Sequence, residues 1–136
     1  MGIIIFKLMI EILHNNQFLL RLFPQGINEF SFGRIELRTD NRVYFDIHTM
    51  IKPSMSISKW GEWGKDYNVL VIKVLAQFIQ DVKVEDFQNN LMSSCQFRLD
   101  EVDGKYSLNF FEEDWNVKLH ASAYTFLECS TYLIES

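Results

Sequence analysis

The reading of this chain turns on its last third, 95-CQFRLDEVDGKYSLNFFEEDWNVKLHASAYTFLECSTYLIE-135. Apolar and polar residues alternate here in short runs: Phe97 and Leu99, then Tyr106, Leu108 and Phe110, then Trp115, Val117 and Leu119. A period of two places one set of side chains on one face of a sheet. Asp103-Gly104 accepts the positive φ of a tight hairpin turn. Acidic corners separate the runs, Asp100, Glu101 and Asp103 at one and Glu112, Glu113 and Asp114 at the next. The segment therefore reads as an antiparallel meander with one buried face, its longest strand at Trp115 to Ala123 and its last at Phe126 to Ile134.

Working outward, Phe30 to Arg38 reads as a strand whose phase changes. Phe30 and Phe32 share one parity, Ile35 and Leu37 the other. One extra residue at Gly33-Arg34, a β-bulge, restores a common face. A turn at Thr39-Asp40-Asn41 leads to Val43, Phe45 and Ile47, which alternate with Tyr44, Asp46 and His48. Earlier still, Ile3 to Leu13 and Gln17 to Phe23 read as a first hairpin about His14-Asn15-Asn16, ended by Pro24 and Gly26.

Between hairpin and meander, Met50 to Lys65 is a linker with Trp60 and Trp63 beside Gly61 and Gly64. The two tryptophans read either as a lid on one end of the core or as a recognition surface. Asp66 is placed to cap a helix running to about Val82. Tyr67, Val71, Val74, Leu75, Phe78, Ile79 and Val82 form its apolar stripe. The β-branched run Val69 to Val74 suits a strand as well. The length of the stripe favours helix, with a further helical turn at Glu85 to Asn90. Strands, helix, strands give an α+β class: a curved, mostly antiparallel sheet, half-barrel or sandwich-like, with one main helix packed on one face.

The 136 residues fit a single domain, 1–136. An apolar share of 48%, with 12 Phe, 5 Tyr and 3 Trp, suffices for a core without disulfide or metal staples. The net charge of -5 disfavours direct nucleic-acid binding and suits a basic protein partner. Cys95 and Cys129 fit no metal spacing and read as a reduced pair in a cytoplasmic protein. The apolar N-terminus, interrupted by Lys7 and Glu11, reads as neither signal peptide nor membrane span.

No catalytic, cofactor or metal motif stands out, so the domain reads as a binder and not an enzyme. His14, His48 and His120 are scattered. His48 lies opposite Phe45 and Ile47 and reads as solvated. Neighbouring carboxylates such as Glu112-Glu113 point to opposite strand faces and make a poor acid/base pair. Asp46 and Glu36 are candidates to approach across the second hairpin. The two acidic corners lie at opposite ends of Lys105 to Phe111, roughly 20 Å apart, so they form two contact points instead of one patch. Either is placed to join Glu85 and Asp86.

Lys59-Trp60-Gly61-Glu62-Trp63, Leu75-Ala76-Gln77-Phe78-Ile79 and the closing meander with Gly104 carry a resemblance in layout. From residue 59 onward the chain resembles small bacterial immunity proteins of polymorphic-toxin and contact-dependent growth-inhibition systems. The resemblance implies a cytoplasmic antidote that binds a cognate toxin, such as a basic nuclease, and covers its active or substrate-binding surface. No toxin-binding residue is carried over from it. The partner-binding candidates read from the sequence are Trp60, Glu62, Trp63, Asp100, Glu101, Asp103, Glu112, Glu113 and Asp114. A secretion-chaperone-like module and a small-molecule pocket between sheet and helix are the alternatives.

Overall fold

The computed structural model describes residues 9–87 and 94–135. One six-stranded antiparallel sheet organises them. Residues 9–12 are helical (α1), followed by α2 (Gln17–Leu22). The strands are β1 (Ser31–Leu37), β2 (Val43–Thr49), β3 (Val69–Glu85), β4 (Gln96–Val102), β5 (Lys105–Glu112) and β6 (Trp115–Tyr132). Their order is β1-β2-β3-β6-β5-β4. The closing meander is present, with Asp103 and Gly104 at positive φ in the β4–β5 turn. The β1–β2 hairpin carries its bulge between Phe32 and Arg34.

The main helix expected at Asp66 to Val82 is instead the 17-residue β3. It lies inside the sheet, between β2 and β6, so Leu70, Ile72, Val74 and Ala76 are buried while Val71 and Leu75 on the other face are half-buried. Apolar residues on both faces of a strand hide its alternation in the sequence. The ladder then slips between Ile79 and Asp81, next to Phe78 at φ 57. A two-sided apolar run followed by a phase slip mimics a helical stripe. Glu85 ends β3, so no helical turn starts there, and residues 88–90 lie outside the described set.

The N-terminal hairpin is corrected in the opposite sense. Residues 9–12 and Gln17–Leu22 are helical, and the remainder of the Ile3 to Leu13 reading lies outside the described residues. Leu19, Leu22 and Phe23 are buried at helical spacing, as are Met9, Ile10 and Leu13. The connecting His14 bridges to the edge of β6. Its N–H donates to Tyr124 O at 2.8 Å, and its carbonyl accepts from Phe126 N at 3.0 Å. This strap holds the helices against the core.

The sheet folds over on itself. β1 and β5 are four strand spacings apart in sheet order, about 19 Å if the sheet were flat. Yet the rings of Phe32 on β1 and Phe110 on β5 have centroids 4.8 Å apart, and Phe45 on β2 meets Phe110 at 5.5 Å. The bend falls where β6 changes its buried phase. Val117, Leu119 and Ala121 are buried on one side of it, Tyr124 and Phe126 on the other. The two strands read from the sequence as Trp115 to Ala123 and Phe126 to Ile134 are this one bent, 18-residue β6. The buried Tyr124 hydroxyl donates to Tyr106 O at 2.7 Å and ties the bend to β5. Folding over also brings the two outer strands together, since Cys95 N donates to Phe30 O at 3.0 Å just before β4 and β1 begin.

Candidate functional site

Two concavities carry charged or polar linings among the described residues. The first is a cleft of about 330 Å³ where the β5–β6 turn meets the end of β3. Glu112 pairs with Trp115 and Glu85 with Asn116, so the register sets Glu112, Glu113 and Asp114 beside Glu85 and Asp86. Phe111 and Trp115 supply its apolar surface. Trp115 is anchored edge-on to Phe87 at 5.4 Å. Lys83 lies 3.7 Å from Glu85 on the exposed surface. No lysine or arginine lines the cleft among the described residues.

The second is a pocket of about 270 Å³ between the start of β1, the end of β2 and the end of β6. Its polar wall is a relay. Asp46 and His48 stand two apart on β2, so both project from one face. Asp46 Oδ1 accepts from Arg34 N and from His48 Nε2, each at 3.0 Å. His48 Nδ1 lies 2.8 Å from the Tyr132 hydroxyl. A carboxylate only accepts, so Nε2 carries the ring proton in the neutral imidazole, and Tyr132 donates to Nδ1. Burial and the Asp46 charge push the Tyr132 phenol up, and it keeps its proton at neutral pH. His48 is therefore not the solvated residue its strand parity predicts: 12% of its side chain is exposed. The β1 bulge makes this possible. A Cβ on Gly33 would stand 2.0 Å from Asp46 Oδ1 and 2.4 Å from His48 Nε2.

The rest of the pocket is braced by side chains gripping backbone. Asn68 holds Ile134 through both amide atoms, at 2.8 and 2.9 Å. Thr49 Oγ1 donates to Glu29 O at 2.9 Å and accepts from Ile51 N at 3.2 Å. Ser94 Oγ donates to Glu29 Oε1 at 3.1 Å.

The sequence-derived candidates are dispersed. Trp60 and Trp63 sit over the core, half-buried. Trp60 meets Phe18 and Tyr67 at 5.9 Å each, and Trp63 meets Tyr67 at 5.3 Å. This is the lid arrangement. Glu62 is exposed, in a turn where its N–H donates to Asp66 Oδ2 at 2.7 Å. Asp100, Glu101 and Asp103 lie at the β4–β5 turn, at the far end of β5 from Glu112, Glu113 and Asp114. Asp100 is 3.7 Å from Arg98, and Glu101 raises the Tyr106 phenol by a hydrogen bond and its charge. Glu36 pairs with Tyr44 and ion-pairs with Arg38, away from Asp46. The relay had one sequence signal: a bulge glycine in register beside an Asp-x-His strand face.

Cys95 and Cys129 are free thiols, each pushed up to about 12, mainly by burial. The Glu112 charge adds to the shift at Cys95. No group of residues suited to hold a metal ion occurs among the described residues. No described helix is long and apolar enough to cross a membrane. No family model, curated protein or solved structure matches the chain.

Proposed function

We propose that this domain is an immunity-type protein that neutralises a cognate toxin by docking a basic surface of it on the acidic cleft. The observation that carries the reading is convergence: five carboxylates from two separated segments, Glu85 and Asp86 with Glu112, Glu113 and Asp114, border one cleft. Like charges gathered around a concave surface raise the local potential and steer an oppositely charged partner. Phe111 and Trp115 add apolar contact of the kind that concentrates binding energy. A nuclease presents a basic surface to phosphates, and a row of carboxylates competes for that surface. The Asp100–Asp103 corner and the Trp60–Trp63 lid are then bystanders, placed away from the cleft. A cytoplasmic site of action follows from this role.

The test is protection. Cells expressing the toxin encoded beside this gene should grow when the domain is present. The variant E112Q/E113Q/D114N should lose protection and bind the toxin at least tenfold more weakly at low salt. Protection undiminished in that variant, or no binding to the adjacent toxin, would sink the reading.

A further inference from the structure

We propose that the pocket beside Tyr132 is a binding site for a small organic ammonium compound, an amine cation carried on one ring or a short apolar chain. This site goes beyond the toxin-docking reading and does not depend on it.

The shape sets the size of the ligand. A volume of about 270 Å³ lies just below the usual range for drug-sized ligands. The walls set its body, because Phe30, Ile51, Val69 and Ile134 offer an apolar lining. The polar groups set its head. Glu29 is the charged carboxylate of the lining, and no lysine or arginine lines the pocket among the described residues. With the His48 imidazole neutral, Tyr132 donates to Nδ1, so the phenol oxygen is left as an acceptor. The relay to Asp46 enriches that oxygen, because successive hydrogen bonds polarise one another. An acceptor-rich, anionic pocket with apolar walls selects an ammonium donor over a neutral or anionic ligand.

The site is also set in advance. Asn68 fixes the backbone that carries Ile134, Thr49 holds the Glu29 backbone carbonyl, and Ser94 donates to the Glu29 carboxylate at the exposed rim. Gly33 leaves the room in which the Asp46–His48 pair sits. Preorganised acceptors of this kind reduce the ordering cost of binding.

The full chain would be titrated with phenethylammonium by NMR and calorimetry. Phenylethanol and phenylpropionate serve as the neutral and anionic controls. Binding by the ammonium alone is expected, with amide shifts at Phe30, Ile51 and Tyr132. E29Q and Y132F should each weaken it by about tenfold or more, the size of a lost charge-assisted hydrogen bond. E112Q/E113Q/D114N should bind the probe as wild type does, which separates this site from the toxin-docking cleft. A neutral peptide with one free lysine side chain then tells the two sources of the cation apart. Competition with the probe assigns the site to a partner's lysine, and no competition assigns it to a free small molecule. Equal binding of the anionic control, no binding at millimolar probe, or binding unchanged in both E29Q and Y132F overturns the proposal.

Discussion

The two concavities are built in opposite ways. In the Tyr132 pocket the polar side chains are tied to one another: Asp46 to Arg34 N and His48, His48 to Tyr132, Glu29 to Ser94. In the acidic cleft the carboxylates gather from a turn and a strand end, with one exposed lysine near Glu85. A paired network spends its hydrogen bonds on holding a shape, so its worth lies in geometry. A cluster in which one lysine faces five carboxylates holds little shape and projects a field into solvent. Geometry suits a small, defined ligand, and a field suits a large, charged partner.

The comparison can be broken at the core that both concavities share. Phe110 is fully buried between the two halves of the folded sheet and meets Phe30, Phe32, Phe45 and Phe97. F110A should cost about 3–5 kcal/mol in urea unfolding and disturb both concavities together. A loss below about 1 kcal/mol would mean that the halves do not pack across this ring.

The same core is tested again by alkaline titration. Cys95 and Cys129 have an ordinary value of 9.0, raised in the fold to about 12. Between those values the unfolded chain loses thiol protons that the folded chain keeps. Stability is therefore fully present below pH 9 and falls as pH rises toward 12. The slope is at most about 1.4 kcal/mol per pH unit for each thiol. Unfolding curves collected across that window should show the fall, and C95A should remove one thiol's share of it. At neutral pH both thiols should react slowly with iodoacetamide in the native protein and rapidly in urea. Fast native alkylation of both would contradict their burial.

The pocket alone is broken at Gly33. G33A should cost about 1–3 kcal/mol, because the new methyl must displace the Asp46–His48 pair. The His48 ring signals should shift by NMR while Trp115 at the cleft stays unchanged. The smallest effect belongs to the cleft. E112Q/E113Q/D114N should raise stability by a few tenths of a kcal/mol at low salt, and the gain should shrink as salt screens it. A destabilised triple variant would show that these carboxylates are structural after all.

Legibility in the sequence followed the surroundings of each strand. The meander and the β1–β2 hairpin have one wet face, so period two survives, and Gly33 and Asp103-Gly104 mark bulge and turn. β3 carries apolar residues on both faces, one face buried and the other half-buried, and they hide the alternation that identifies a strand. For α2 the error ran the other way, since a six-residue apolar run is too short to distinguish the two periods. The candidate sites divide in the same manner. Glu112, Glu113 and Asp114 were visible as a charged turn. Asp46, His48 and Tyr132 were not, because Tyr132 is 84 residues from His48 and only the β2-β3-β6 order brings them together.

The acidic balance, the aromatic core, the closing meander and its turns follow from composition and local turn chemistry, which act through neighbouring residues. Long-range pairing makes β3 a strand, folds the sheet at Phe78 and Tyr124, and gathers the residues of the pocket and of the cleft. Those outcomes depend on strand order and register, which are set by contacts between residues far apart in the chain.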